Sequence, residues 1–102
     1  MKYDIPKSFP MGGQIIKVVI VKELFCDGQA ILGKFEAILN EIHLAKTVFG
    51  KVIVKSQVEQ TYYHEYAHCL MFHCRQDNLN ENEELIDLMG EFLYQSLKKK
   101  SK

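Results

Sequence analysis

The pattern of hydrophobic and polar residues changes about halfway along the chain, and its first half is typical of β-strands. Residues Gln14 to Lys22 are apolar on both faces, which predicts a buried strand rather than an edge strand. Residues Leu32 to Leu39 and Glu41 to Ala45 predict two shorter strands, paired as a hairpin around Asn40. We therefore expect a small, mostly antiparallel three-stranded sheet.

The second half of the chain has the period of α-helices. Ser56 and Glu59 have the spacing of a capping box, which predicts a helix from Ser56 to about Arg75. A second helix is predicted from near Asn80 to about Lys98, because its apolar residues form one broad arc. Strands followed by two helices indicate an α+β fold with the helices packed on one face of the sheet.

Length and charge limit what this chain does. With 102 residues it is long enough for one domain, which we place over residues 1–102, with an extended segment over 1–13 and a basic tail over 98–102. The 13 basic residues balance 13 acidic ones, which makes a nucleic-acid partner improbable, since such binders carry a basic face. Residues 76–97 hold six carboxylates and neither Lys nor Arg; this run is either a solvated face or a functional one.

The sequence gives no sign of a membrane or of export. No stretch reaches the ~18 apolar residues of a membrane span, and the N-terminus lacks the apolar core of a signal peptide. The three cysteines, Cys26, Cys69 and Cys74, are then expected to be reduced thiols that pack as small hydrophobic residues in a cytoplasmic protein. A redox or metal-sensing role for Cys69 and Cys74 is the least favoured alternative.

The first predicted helix contains the motif His64-Glu65-Tyr66-Ala67-His68, a match to H-E-x-x-H. Residues i and i+4 lie on one face of a helix, so both imidazoles can reach one metal ion. Glu65 lies about 100° round the helix, where it can act on a water molecule without being a ligand. The helix is apolar almost all round, which predicts that it is buried. Burying two imidazoles and a carboxylate is costly unless they are paired or bind a metal, so the motif predicts a single Zn²⁺ site.

A catalytic zinc ion takes three protein ligands and leaves one position open. Glu83, at the start of the second helix, is the third ligand that helical phase favours. Glu84 is one alternative, and the other is that Glu83 only caps that helix with Asn80. Asp87 lies one turn beyond Glu83 and is placed to accept the free N–H of a zinc-bound histidine.

The two remaining histidines fit the zinc site less well. The longer pattern H-E-x-x-H-x-x-G-x-x-H fails, because Met71 and Cys74 stand where Gly and His are required. His73 lies about 140° from His68 around the helix and should point elsewhere. His43 is expected to be a half-exposed histidine on the opposite face of its strand from Ile42 and Leu44.

With these residues in place, the chain resembles a minimal zincin metallopeptidase domain of the thermolysin-like, or gluzincin, type. The pairing of His64-Glu65-x-x-His68 with Asn82-Glu83-x-x-x-Asp87 carries the resemblance, which covers roughly Ser56 to Leu97. It implies that the two histidines and Glu83 bind zinc, that Glu65 is the general base, and that Asp87 orients the first histidine. The chain is also similar in outline to small zinc-peptidase-like proteins of phages and mobile elements.

The chain departs from that family in size. Only residues 69–82 separate the second histidine from Glu83, and no second subdomain exists to form the other wall of a cleft. The resemblance therefore implies either a shallow site or a wall supplied by a second copy or a protein partner. No Tyr or His outside the motif can be assigned as oxyanion stabiliser, and Tyr62, Tyr63 and Tyr66 are too close in sequence to the ligands to choose between them.

We expect a zinc metallopeptidase that hydrolyses peptide bonds, with Glu65 as general base and a peptide or protein as substrate. The strand Glu41 to Ala45 is a candidate for pairing with an extended substrate. The alternative is a catalytically weak or inactive zincin-like module that binds a protein partner.

Overall fold

The computed structural model describes residues 2–98, and the change of hydrophobic period about halfway along the chain corresponds to the change from strands to helices. The strands, in chain order, are β1 Ser8–Met11, β2 Gln14–Val21, β3 Leu24–Cys26, β4 Gln29–Ile31, β5 Gly33–Glu36, β6 Glu41–Ala45, β7 Thr47–Val48 and β8 Lys51–Val52. The helices are α1 Lys55–His73, α2 Asp77–Asn80 and α3 Glu83–Lys98. The molecule is a small α+β domain, as the sequence predicted.

The main sheet has four strands rather than three, in the order β1-β2-β6-β5. The additional strand is β1, which comes from the segment predicted to be merely extended and pairs with β2 through a turn at Gly12 and Gly13. The sheet is also mixed, because β2 and β6 are parallel while the other two pairs are antiparallel. The parallel pairing joins strands distant in sequence, which alternation within each strand does not reveal.

The predicted hairpin around Asn40 is present, although its first strand ends at Glu36 rather than Leu39. Asn40 has a positive φ of 54°, a conformation that Asn tolerates better than most residues. Two further hairpins, β3-β4 and β7-β8, lie outside the main sheet. Their strands are only two or three residues long, too short for periodicity to detect.

Helix α1 begins at Lys55, and its predicted capping box is wrong. The N-cap residue is Val54, and no side chain caps the helix. Glu59 is instead buried and accepts a hydrogen bond from the backbone N–H of Asp4 at 2.6 Å. The carboxylate therefore joins the N-terminal segment to the helix.

Helix α1 packs across one face of the sheet. The core between them contains buried Ile16, Ile42 and Leu44 from the strands and Val58 and Cys69 from the helix. Strand β2 is internal, as predicted. Only the face toward α1, which carries Ile16, is fully buried there, whereas Ile15 on the opposite face is exposed.

The predicted second helix is α3, which begins at Glu83 rather than near Asn80, and α2 is an additional short helix between the two predicted ones. The one-turn helix α2 ends at Asn80, and α3 begins at Glu83 with the Asn82 side chain accepting the N–H of Leu85 at 3.2 Å. This is an N-cap bond, and it starts α3 at the first carboxylate of the acidic run. The basic tail predicted over 98–102 lies outside the described residues, apart from the last helical position at Lys98. Within residues 2–98, no helix combines the length and apolarity that crossing a membrane requires.

Candidate metal centre

His64 and His68 lie one turn apart on α1, beside the edge strand β5, with their ring centroids 5.0 Å apart. The other side of the same helix carries Tyr62 and Tyr66, whose rings contact Phe9 of β1. The aromatic contacts therefore fix the rotation of α1, and this rotation leaves the two imidazoles only partly buried.

Helix α3 brings Glu83 to both imidazoles. Glu83 Oε1 lies 3.4 Å from His64 Nε2, and Glu83 Oε2 lies 3.4 Å from His68 Nε2. One ligand atom from each of the three residues lies within 4.8 Å of the other two, so the group could hold a metal ion. Ligand atoms about 2.0–2.1 Å from a tetrahedral ion lie roughly 3.4 Å apart, which matches the two His–Glu separations.

The other ring nitrogen of each histidine has a hydrogen-bond partner of its own. His64 Nδ1 lies 2.9 Å from Asp87 Oδ1, and His68 Nδ1 lies 2.5 Å from Asn80 Oδ1. Carboxylate and amide oxygens only accept, so each Nδ1 donates its proton. In a neutral imidazole with its proton on Nδ1, the Nε2 lone pair faces Glu83, which is the arrangement that binds a metal ion through Nε2.

The structure brings together the residues that the sequence singled out, and adds one. Glu83 and Asp87 both reach the histidines, whereas Glu84 is exposed on α3 and is not part of the group. Asn80 is the residue that sequence reasoning did not assign to the site. Nothing in the pattern distinguishes it from Asn78 and Asn82, since the orientation of α2 follows from tertiary packing.

Glu65 follows His64 and is almost completely buried, with 7% of its surface exposed. Burial raises the pKa of its carboxyl to about 7; His68 lowers the pKa and Glu83 raises it, both by smaller amounts. A carboxyl group with a pKa near 7 can both take up and release a proton under neutral conditions.

Two glycines let neighbouring elements approach α1 on either side of the motif. A Cβ atom at Gly90 of α3 would lie 2.9 Å from His64 Cα, and one at Gly33 of β5 would lie 2.6 Å from Thr61 Cγ2. Both separations are too short for a side chain, so glycine permits the close packing of α3 and β5 against the helix.

A groove of about 560 Å³ lies between β5 and α3, beside His64 and Glu65. Tyr94 and Glu91 of α3 contribute to its wall. A second hollow of about 410 Å³ continues from it past His68 and Glu83, along Gly33, Lys34 and Phe35. Together they form an open channel beside an edge strand of the sheet.

The strand beside this channel is β5, not the one expected to bind substrate. Strand β6, Glu41–Ala45, lies between β2 and β5 and has no free edge. The N–H of Ala45 donates to the carbonyl of Leu32, which sets the alternation of the β5-β6 ladder. The backbone groups of Gly33 and Phe35 therefore point away from β6, toward the free edge.

The other candidate residues lie away from the three ligands. His43 Nε2 lies 2.7 Å from Glu41 Oε1, within hydrogen-bond distance, on the face of the sheet opposite α1. His73 lies near Gly12, and its Nε2 is buried with no hydrogen-bond partner among residues 2–98. Cys69 is buried, where burial raises the pKa of its thiol to about 11, and Cys74 is exposed beyond the end of α1. These two cysteines are not part of the candidate metal group.

Comparison with protein-family models, with curated proteins and with solved structures found no match to this chain.

Proposed function

We propose that the protein is a zinc-dependent peptidase in which His64, His68 and Glu83 hold the metal and Glu65 is the general base. This proposal is carried by the arrangement of the two imidazoles and the Glu83 carboxylate beside the buried carboxyl of Glu65. Two Nε2 atoms lie 3.4 Å from one carboxylate, their Nδ1 atoms are occupied by Asp87 and Asn80, and Glu65 adjoins the group.

The donor set favours zinc over other common ions. Two imidazoles and one carboxylate suit Zn²⁺ and leave a fourth tetrahedral position open, whereas magnesium and calcium prefer oxygen ligands alone. When bound in such a site, zinc lowers the pKa of a water molecule toward ~7 and polarises a carbonyl group.

Glu65 supplies the proton transfers. Its raised pKa lets the carboxylate accept a proton from the attacking water and then deliver it to the amine that leaves. Asp87 and Asn80 keep the two imidazoles in one tautomer and orientation while this happens.

Substrate binding is assigned to the free edge of β5. An extended peptide forms backbone hydrogen bonds with an unpaired strand edge, and Gly33 and Phe35 present such groups beside the channel. The polypeptide then lies across His64, Glu65 and His68, and its side chains enter the groove and the hollow on either side.

Tyr94 is the candidate oxyanion stabiliser. It lines the groove with His64 and Glu65, and its phenol is an O–H donor. Tyr62 and Tyr63, by contrast, are buried in the core.

The test is the substitution Glu65→Gln, compared with Glu84→Gln as a matched change of an exposed carboxylate. We expect the Glu65 variant to keep stoichiometric zinc by elemental analysis and to lose about 10²–10⁴-fold in hydrolysis of a diverse peptide library. The Glu84 variant should keep both properties. Hydrolysis that survives in the zinc-loaded Glu65 variant would show that the proposed mechanism is wrong.

A peptide-binding module is the second candidate, and the free edge of β5 favours it as well. Stoichiometric zinc together with peptide binding and no cleavage by the unaltered protein would select the binding module.

A further inference from the structure

Two exposed apolar surfaces of opposite charge lie outside the candidate metal centre. The first, which we call the basic hairpin, comprises residues 46–55 and includes β7 and β8. Its tip residue Phe49 is 83% exposed, and Val52 and Val54 are also exposed. Lys46 and Lys51 accompany them, as does Lys55, whose Nζ lies 3.8 Å from Asp4 Oδ2, and no acidic residue occurs from position 42 to position 58.

The turn of the basic hairpin places a bulky aromatic residue in an unfavourable backbone conformation. Phe49 and Gly50 both have positive φ, at 51° and 76°, a geometry that favours Asn, Asp or Gly at its first position. The β3-β4 hairpin follows this rule with Asp27 and Gly28. A bulky aromatic residue is costly at such a φ and gains nothing from burial in the monomer. Strain of this kind is concentrated at functional sites.

The second surface, which we call the acidic stripe, is the outer face of α3. Leu85, Leu88, Met89 and Phe92 follow the spacing i, i+3, i+4, i+7, so they lie on one side of the helix. Leu88 is 46% exposed and Phe92 57% exposed. The exposed carboxylates Glu84 and Glu91 lie along the border of the stripe, and residues 76–97 include neither Lys nor Arg.

We infer that the basic hairpin of one copy of this chain docks on the acidic stripe of a second copy. The two surfaces have complementary charges, and each of them exposes apolar side chains. Stripe against stripe, or hairpin against hairpin, would oppose like charges. The formal net charge of zero means that two copies do not repel each other at long range.

A reciprocal arrangement satisfies both surfaces at once, because each copy carries one hairpin and one stripe. Two-fold symmetry then forms the same contact twice and closes the assembly as a dimer. Glu91 and Gln95, which belong to the same part of α3, also line the groove. The docked hairpin would therefore lie next to the groove of its partner. The contact does not depend on metal binding or on the proposed peptidase activity.

A charge-swap experiment on the full-length protein tests the contact. Sedimentation equilibrium from micromolar to millimolar concentration should show self-association that weakens with added salt. Lys51→Glu and Glu91→Lys should each weaken association at least tenfold, and the double variant should recover most of the loss. Lys7→Glu is the matched control, since this exposed lysine lies outside both surfaces.

A monomer at every concentration, or a double variant that associates no better than the single variants, would overturn the inference. A loss with Glu91→Lys but not with Lys51→Glu would also overturn it, and would point to another basic segment such as residues 98–102 as the occupant of the stripe.

The variant Phe49→Asn separates docking from folding. Asn tolerates positive φ, so we expect the melting temperature of the dilute monomer to rise while self-association weakens. Association at wild-type strength in this variant would exclude the hairpin tip from the contact. Binding of the hairpin to anionic lipid vesicles without self-association would show that a membrane surface, not a second copy, is its partner.

Discussion

The two helices of the candidate metal centre differ in how far the side chains of the site are buried. On α1, Glu65 is buried, and the side chains of His64 and His68 are only 26% and 20% exposed. On α3, the side chains of Glu83 and Asp87 are 63% and 69% exposed. Core packing holds both helices, with Ile86 of α3 fully buried, but it covers the site side chains of α1 and leaves those of α3 largely in solvent. We therefore expect the affinity of the proposed metal site to depend most on how α3 is docked.

The largest expected effect comes from removing the α3 ligand. Glu83→Ala leaves two histidines and an incomplete coordination sphere, so we expect loss of stoichiometric zinc in elemental analysis of the purified protein. The adjacent change Glu84→Ala is the control, since Glu84 is exposed and lies outside the group. Loss of metal only in the Glu84 variant would reverse the assignment of the third ligand.

The next effect concerns the contact that docks α3. In Gly90→Ala, the new Cβ would lie 2.9 Å from His64 Cα, so the two helices must separate. We expect destabilisation by about 1–3 kcal/mol in chemical denaturation, although alanine favours a helix over glycine. Zinc affinity should fall as well, because Glu83 moves with α3.

A matched substitution on the exposed side of the same helix, Ser96→Ala, should change neither the free energy of unfolding nor the zinc affinity appreciably. If Gly90→Ala is more stable than the unaltered protein and binds zinc equally well, then the close packing does not position the ligand.

A smaller effect is expected at Asn80, which orients a histidine without being a ligand. Asn80→Ala removes the acceptor of the His68 Nδ1 proton and should weaken zinc binding about 10–100-fold in competition titrations with a chelator. Asn78→Ala, an exposed change in the same short helix, is the control. Equal affinities for the two variants would mean that His68 is oriented by other contacts.

Local patterns predicted the parts of the fold that depend on local physics. The hairpin around Asn40 and the long motif helix were found from alternation, turn residues and helical period. The capping box failed because Glu59 has a tertiary partner in the backbone of Asp4. The strand β1 and the parallel pairing of β2 with β6 escaped prediction because each depends on which segments meet in space.

The candidate site divides in the same way. Helical spacing placed His64, Glu65 and His68 on one helix, and on another it favoured Glu83 and Asp87 while leaving Glu84 open as an alternative ligand. The sequence therefore determined which side chains are available to a metal ion, because their geometry on a helix is local. The tertiary structure decided that Asn80 rather than Asn78 supports His68, that Gly90 brings α3 against His64, and that β5 rather than β6 presents the free edge. Two of these facts are contacts between different helices and the third is the order of strands in the sheet. Only the packing of the whole domain sets them, because none depends on local sequence alone.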